Sequence, residues 1–253
     1  MKDLINKVIC GDCLEEMMDI DEKSIDAIIC DPPYGTTACK WDTVIPFNEM
    51  WQHLNRIIKP NGAIVLFGSE PFSSALRMSN IKNYKYDWIW EKDMPTGFQT
   101  AKYKPMAISE NIIVFGNNTV NYYPIPKELS DNSKKRNNRK REYSFGAKES
   151  YCGDQTKLEV RPTLGRTMGY PNNILFFKKE SNNQYKTQVF HPPQKPVLLM
   201  EYLIKTYTNK GETVLDFTAG SGSTGVACKN LNRNYILIEK EQKYIDIINK
   251  RLI

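Results

Sequence analysis

Apolar residues follow two spacings that predict alternating strands and helices at both ends of the chain. Short, nearly continuous apolar runs such as 24–31 and 63–68 are typical of strands buried on both faces of a sheet. Apolar residues at helical spacing predict amphipathic helices between the strands. The predicted strands are 7–12, 24–31, 63–68, 84–92, 110–116, 212–217 and 234–240. The predicted helices are 13–20, 47–60, 70–80, 196–208, 220–230 and 242–252.

This alternation predicts an α/β protein with one doubly wound, mostly parallel sheet assembled from both ends of the chain. The strands at 84–92 and 110–116 are predicted to form a hairpin or edge pair. Ligands bind such sheets outside the carboxyl ends of the strands. Five residues lie at or just after predicted strand ends and should line one rim: Asp12, Asp31, Gly68, Asp216 and Glu239.

The middle of the chain has a different character. Residues 117–190 are rich in Asn, Lys, Arg, Ser and Tyr, carry no sustained periodicity and include the basic run KKRNNRKR at 134–141. By itself, such a charge run is most often a solvated, flexible face. We therefore predict a first half at 1–116, an insert at 117–190 and a second half at 191–253.

Composition narrows the class of protein without assigning a function. The chain has 253 residues, 40% of them hydrophobic, and a formal net charge of +6, whose sign suits a nucleic-acid partner but equally an ordinary cytosolic protein. Since there is neither an apolar run of about 18 residues nor a signal-peptide pattern, we expect no membrane span. The cysteines lie mostly in apolar surroundings, which predicts free thiols in a reducing cytoplasm. The only two histidines, His53 and His191, are far apart, and we expect no metal site.

One motif follows the second predicted strand directly: Asp31, Pro32, Pro33 and Tyr34. The prolines fix φ and remove two amide donors, so the chain is stiff where it leaves the sheet. The Asp31 carboxylate and the Pro32 carbonyl supply acceptors, and Tyr34 supplies a flat ring. Such an array suits the exocyclic amino group of a planar base, although a rigid turn with a surface tyrosine is the simpler alternative.

A second motif lies near the C-terminus. Gly220, Gly222 and Gly225 form G-x-G-x-x-G after a predicted strand, with Glu239 about 20 residues further on, a pattern typical of NAD-binding proteins. That pattern usually opens its fold, whereas here it nearly ends the chain. The glycines predict a tight turn where backbone approaches a ligand at a helix N-terminus.

Together, DPPYG and DFTAGSGSTG resemble the amino-group DNA methyltransferases, which make N6-methyladenine or N4-methylcytosine from S-adenosylmethionine. The order of target motif, basic region and cofactor loop resembles the β class of this family. The resemblance implies a seven-stranded, Rossmann-like methyltransferase fold with permuted motif order and a basic target-recognition insert. HPPQKPVLLMEYLI and RNYILIEKEQKYIDIINKRL resemble family segments. DPPYGTTACKWD, together with WEKDMPTGFQTAKYKPMAISENIIVF, is similar to members common in phages and prophages. The resemblance covers roughly 7–116 and 190–252.

The resemblance implies a catalytic group of Asp31, Pro32, Pro33 and Tyr34. In it, Asp31 and the Pro32 carbonyl would bind the target amino group, and Tyr34 would stack on a base flipped out of the duplex. Lys and Arg of the insert would contact DNA phosphates. The candidates are Lys134, Lys135, Arg136, Arg139, Lys140 and Arg141. The implied partner is double-stranded DNA, and a homodimer and a cognate restriction endonuclease are further candidate partners.

The resemblance also implies a binding site for S-adenosylmethionine. Its residues would be Asp12, Cys13, Asp31, Lys195, Asp216, Thr218, Gly220, Ser221, Gly222, Ser223 and Glu239. Glu239 is expected at the ribose hydroxyls, Asp12 beside the adenine and Lys195 near the methionine carboxylate. The family often reads D-P-F-x-G-S-G-T, whereas Phe217 and Thr218 stand here in place of its proline and phenylalanine.

We predict a site-specific DNA methyltransferase that acts on adenine N6, because in this family Asp at the first motif position goes more often with adenine. Cytosine N4 is the main alternative, and RNA or a protein amide would be a different acceptor for the same chemistry. An NAD-dependent oxidoreductase would explain the glycines and Glu239 but neither the DPPY motif nor the basic insert. A non-catalytic DNA-binding protein would not require the intact Asp31.

Overall fold

The computed structural model describes residues 2–37, 39, 42–137, 167–179 and 194–253. Its strands are β1 (Lys7–Cys10), β2 (Ile25–Cys30), β3 (Ile58–Gly68), β4 (Tyr84–Thr96), β5 (Ala107–Phe115), β6 (Lys127–Glu128), β7 (Met168–Gly169), β8 (Ile174–Phe176), β9 (Thr213–Asp216) and β10 (Asn234–Glu239). Its α-helices are α1 (Cys13–Glu16), α2 (Phe47–Ile57), α3 (Phe72–Ser79), α4 (Asp131–Asn137), α5 (Val197–Tyr207), α6 (Ser223–Asn230) and α7 (Gln242–Arg251).

Within these ranges the main sheet has eight strands in the order β1-β10-β9-β2-β3-β5-β4-β8. In this sheet order, the five neighbouring strands β1, β10, β9, β2 and β3 pair in parallel. Strand β5 is antiparallel to its neighbours β3 and β4, and β8 is parallel to β4. This confirms the predicted α/β fold with a mostly parallel sheet built from both ends of the chain. The predicted pairing of strands 84–92 and 110–116 is also confirmed.

The predicted number of seven strands is wrong, because β8 adds an eighth at the sheet edge. This strand has three residues, and only Leu175 is buried, while Ile174 and Phe176 are exposed. Such a short stretch at an edge carries too little alternation to predict a strand. It also lies inside the range 117–190 that we predicted as an insert.

The predicted helix at 47–60 ends three residues early, at Ile57, and β3 begins directly after it. A residue before proline is disfavoured in helical conformation, so Lys59 before Pro60 is extended. The register of β3 against β2 shifts here, since Ile58 pairs with Ile25 but Ala63 pairs with Ala27. Pro60, Asn61 and Gly62 thus belong to a bulged strand rather than to a helix end. The predicted helix at 13–20 is likewise shorter, as α1 ends at Glu16 and a 3-10 helix follows over Met17–Asp19.

The core lies on both faces of the sheet. Successive residues of β2 pack on opposite sides, with Ile28 in one apolar cluster and Ile29 in the other. The first cluster takes in α2 and α3, for example through Leu54, and the second takes in α5 and α6, for example through Leu203. Burial on both faces explains why the central strands are continuous apolar runs.

The chain divides into two compact units. One comprises Met1–Tyr123 with Asn172–Ile253, and the other comprises Pro124–Pro171. In the smaller unit, β6 and β7 form an antiparallel pair and α4 follows β6. The predicted domain boundaries at 116/117 and 190/191 stay predictions. Among the described residues, no helix is long and apolar enough to cross a membrane.

Candidate active site

A cavity of about 880 Å³ opens at the carboxyl ends of β1, β2, β9 and β10, in the larger unit. It is lined by most of the residues that the sequence placed at the site: Asp12, Cys13, Asp31, Pro32, Pro33, Tyr34, Lys195, Asp216, Thr218, Gly220, Ser221, Ser223 and Glu239. Gly222 stands behind them as the N-cap of α6. The structure therefore brings the DPPY motif and the glycine loop, almost 190 residues apart in sequence, to one cavity.

The Asp31 carboxylate is held from two sides. Its Oδ1 accepts a hydrogen bond from the Tyr34 hydroxyl at 2.5 Å, and its Oδ2 lies 2.5 Å from the Lys195 ammonium. The Tyr34 ring stacks on Phe72 with centroids 5.1 Å apart, so one face of the ring is already covered. A carboxylate has about four lone-pair sites, so Asp31 can still accept hydrogen bonds from a further group.

The Asp31 backbone joins the target motif to the glycine loop. The Thr218 hydroxyl donates to the Asp31 carbonyl oxygen at 3.0 Å, and Thr218 Oγ1 is also 2.9 Å from Cys30 Sγ. Thr218 occupies the position where the family often has phenylalanine. A hydroxyl at this place bridges β2 and the segment after β9 directly.

The loop that follows Tyr34 is closed by Asp42, a residue that the sequence reasoning missed. Four consecutive backbone amides donate to its carboxylate at 2.7–2.9 Å, those of Tyr34, Gly35, Thr36 and Thr37. Burial opposes ionisation of Asp42, but these hydrogen bonds outweigh it and lower the pKa of the carboxyl. The sequence signal for this role was an aspartate eight residues after Tyr34, close enough for its side chain to cap the loop.

The glycine loop runs from β9 into α6. Gly220 and Gly222 have φ of +54° and +79°, left-handed values that favour glycine. Glu239, at the end of β10, accepts the Gly220 amide at 2.8 Å and so fixes the loop. The Ser223 hydroxyl, in the first turn of α6, is buried without a hydrogen-bond partner among the described residues, although it lines the cavity.

Three carboxylic acids in this cavity have raised pKa values and so ionise less readily than usual. Burial raises the pKa of Asp216 to about 6, and hydrogen bonds from Thr224 and Thr218 only partly oppose this. Burial also raises the pKa of Glu239 and of Asp31. Carboxylates strained in this way favour a cationic ligand, because its charge would offset the cost of their burial.

Lys195 lies between two carboxylates, Asp31 and Glu110. Its ammonium is 3.3 Å from Glu110 Oε2, and Glu110 forms a second ion pair with the buried Lys92 of β4. Burial opposes the charge on Lys195, but Asp31 and Glu110 together raise its pKa. The sequence reasoning placed Lys195 near a ligand carboxylate and missed Lys92 and Glu110. Both lie at little-exposed positions of partly exposed strands, so local sequence gave no clear signal for them.

The predicted phosphate-binding residues belong to the smaller unit. Lys134 and Lys135 lie on α4, and Lys134 pairs with Glu128 at 2.5 Å. Arg136 belongs to the same helix, while Arg139, Lys140 and Arg141 lie outside the described residues. Their contact with DNA stays a prediction.

Comparison with known proteins points to one chemistry. A family model described as DNA methylase, covering N6 and N4 methyltransferases, matches residues 25–250. The chain is 28% identical over 261 residues to the type II methyltransferase M.HpaI of Haemophilus parainfluenzae, covering 97% of this chain and 74% of that protein.

Solved structures show the same fold. The M1.HpyAVI–SAM complex superposes with a TM-score of 0.61 at 22% identity, covering 97% of this chain and 98% of that one. The cytosine-N4-specific PvuII DNA methyltransferase superposes with a TM-score of 0.65 at 17% identity, covering 98% and 86%.

Proposed function

The chain belongs to the DNA methylase family of N6-adenine and N4-cytosine methyltransferases, and we propose that it transfers a methyl group from S-adenosylmethionine to adenine N6 in double-stranded DNA. The observation that carries this proposal is the hydrogen bond from Thr218 to the Asp31 carbonyl. It joins the end of the target motif to the loop that would hold the cofactor. The acceptor carboxylate and the cofactor loop therefore face one cavity.

The residues present fit S-adenosylmethionine. The unpartnered Ser223 hydroxyl and the amides at the start of α6 suit the carboxylate of an amino acid. Glu239 supplies acceptors for ribose hydroxyls, and Asp216 supplies negative charge in a cavity that would take a sulfonium. Gly220 leaves open space, because a Cβ built there would meet nothing within 4 Å. When bound, the cofactor supplies an electrophilic methyl group.

The chain's own residues act on the target base. Asp31 has free acceptor capacity toward an amino group, beside the Lys195 ammonium that fixes its orientation. Tyr34 lines the cavity with its ring stacked on Phe72 and the Lys195 ammonium 5.8 Å from the ring centre, so a base that contacts this ring would lie beside that cation. Since a paired amino group cannot reach this cavity, the base must leave the duplex, which costs a few kcal/mol.

Adenine rather than cytosine is supported by the Asp at the first position of the motif. The test is mass spectrometry of nucleosides from DNA incubated with the protein and methyl-labelled cofactor. We expect labelled N6-methyladenine; a digest containing only labelled N4-methylcytosine would replace adenine by cytosine. A homodimer and a partner endonuclease stay predictions.

Replacement of Asp31 tests the assignment of the site. We expect Asp31→Ala to abolish labelled product while DNA affinity, measured by calorimetry, changes little, because the predicted phosphate contacts of the insert are untouched. The exposed Asp19→Asn is the matched control and should methylate normally. Undiminished methylation by Asp31→Ala would refute the role of Asp31.

A further inference from the structure

Four charged side chains form an alternating chain from the β4–β5 hairpin into the cavity. Lys92 pairs with Glu110, Glu110 with Lys195, and Lys195 with Asp31. The side chains of Lys92, Lys195 and Glu110 are 4%, 9% and 13% exposed, so this chain is largely removed from water, while Asp31 at its end is 26% exposed. Asp31, Lys195 and Glu110 line the cavity, and Asp31 is the most exposed of the four.

Lys92 and Glu110 reach the site because of the register between β4 and β5. Trp90 of β4 pairs directly with Glu110 of β5, and Lys92 lies two residues further along the same strand. Alternate residues of a strand share one face, so Lys92 and Glu110 project together toward Lys195. The Lys92 ammonium also lies 5.5 Å from the centre of the Trp90 ring.

We propose that Glu110 is a positioning residue for methyl transfer, which holds the Lys195 ammonium between two carboxylates so that Asp31 can take up the proton that the target amino group releases. This inference rests on the proposed function and adds a role for the β4–β5 hairpin. In the transfer, nitrogen forms a bond to the methyl carbon, and the carbon–sulfur bond breaks with its electron pair staying on sulfur. Nitrogen then gives up one proton, which Asp31 accepts.

The charge pattern accounts for the need for Glu110. If Asp31 were the sole partner of Lys195, protonation of Asp31 would leave a buried ammonium unpaired, which is costly. With Glu110 in place, Lys195 keeps an anionic partner whichever form Asp31 takes. Lys92 in turn keeps Glu110 ionised, since burial opposes its charge but Lys195 and Lys92 together lower its pKa.

The groups that face Asp31 agree with this role. Among the described residues they are Tyr34 on the same loop, Lys195 before α5, Glu110 on β5, and Cys30 and Asp216 at the ends of β2 and β9. Burial raises the pKa of Asp31, the charge of Lys195 lowers it, and the charge of Glu110 raises it. Glu110 therefore makes Asp31 a better proton acceptor than Lys195 alone would allow.

Glu110→Gln is the direct test, because it removes the charge and keeps the size. We expect the single-turnover rate of methyl transfer to fall by about tenfold, a part of the roughly 10²–10⁴-fold that a general acid or base typically contributes. The acidic limb of its pH profile should move to lower pH. In the protein without cofactor or DNA, ¹³C NMR of carboxyl-labelled aspartate, with Asp31→Asn to assign the signal, should show Asp31 titrating at lower pH than in the wild type.

Two further variants separate positioning from simple stability. Glu110→Gln leaves Lys92 unpaired, so it should lower the melting temperature, and Lys92→Met/Glu110→Gln should restore much of it without restoring the rate. Asp87→Asn breaks an ion pair with Arg77 at the other end of β4 and should lower stability while leaving rate and pH profile unchanged.

The outcomes are distinct. Recovery of the rate together with stability in the double variant, or an unshifted Asp31 titration in Glu110→Gln, would overturn the inference. If the wild type itself makes no methylated base, the proposed function fails, yet the NMR titration still decides whether Glu110 controls Asp31.

Discussion

At the scale of single residues, Asp42 shows how one carboxylate can fix a functional loop. Its two oxygens accept the four amides that follow Pro33, and Tyr34 is the first of them. An amide side chain has one acceptor oxygen, so Asp42→Asn would leave amides of the loop without partners. Hydrogen bonds to a charged group contribute about 1.5–3 kcal/mol each, and the amides of the exposed residues Gly35, Thr36 and Thr37 would regain part of this from water.

We therefore expect Asp42→Asn to lower the free energy of unfolding by about 1–3 kcal/mol and to reduce methyl transfer further than this loss of stability explains. Chemical denaturation and single-turnover assays measure the two effects, with the exposed Asp19→Asn as control. Because the pKa of Asp42 is lowered in the folded protein, its contribution is complete above the usual pKa and lost as pH falls through the lowered one. A variant with wild-type turnover would show that the loop does not depend on Asp42.

The sequence predicts the place of some residues in the site but not of others. Asp31, Tyr34 and the glycines follow predicted strands within recognisable motifs, and the cavity gathers them. Glu110 and Lys92 lie in a stretch that resembles family members, but their role depends on the hairpin register and on Lys195, which is 85 residues beyond Glu110. A charge at a little-exposed position indicates that a partner exists but not which residue it is.

At the scale of elements, α5 is tied to the sheet by a buried hydrogen bond. The Tyr207 hydroxyl accepts from Trp88 Nε1 at 2.6 Å and lies 3.2 Å from the Tyr86 hydroxyl. Trp88 and Tyr207 are nearly inaccessible to solvent. Tyr207 is the last residue of α5, so this bond secures the C-terminal end of the helix against β4.

Tyr207→Phe should lower the free energy of unfolding by about 1–3 kcal/mol, because it leaves the buried indole N–H of Trp88 without its acceptor. Urea denaturation followed by tryptophan fluorescence measures the effect. Tyr202→Phe, on the same helix and with its ring 5.9 Å from Trp88, is the matched control. Equal losses in both variants would mean that the bond from Trp88 to the Tyr207 hydroxyl contributes no more than any other tyrosine hydroxyl on this helix.

The sequence predicted strands and helices correctly where burial requires a long run or a regular spacing of apolar residues. Strand β2 is buried at all six positions, and its apolar run predicts it directly. Strand β8 pairs through three residues against β4, and that contact is set by the sheet edge rather than by any local pattern. The sequence at Pro60 to Gly62 predicted a helix end, because proline, asparagine and glycine are typical of helix ends and of strand bulges alike.

At the scale of the whole molecule, the candidate active site lowers the stability of the fold. Asp31, Asp216 and Glu239 lie on one rim, and burial raises the pKa of each. For Asp216, the folded protein holds its proton up to a pKa of about 6, whereas the unfolded chain releases it at the usual value near 4. Stability therefore falls as pH rises between these two values and stays reduced above them.

Asp216→Asn removes this titration, so the stability of the variant relative to the wild type should rise from pH 4 to pH 6 and then level off. Since two pKa units correspond to about 3 kcal/mol, denaturation without ligand at several pH values can resolve the change. The slope, rather than the absolute difference, carries the prediction, because the variant also alters the bond with Thr224. Glu22→Gln, which removes an exposed carboxylate, is the control variant in the same measurements.

The same variant should bind S-adenosylmethionine more weakly at pH 7.5 by calorimetry, because it removes a negative charge that faces a cation. Greater stability with weaker binding is the outcome expected of a cavity that keeps buried carboxylates for a positively charged ligand. If Asp216→Asn gained no stability with rising pH, the Asp216 carboxylate would ionise in the folded protein without a cost in folding free energy. The rim would then owe its preference for the cofactor to shape and hydrogen bonds rather than to charge.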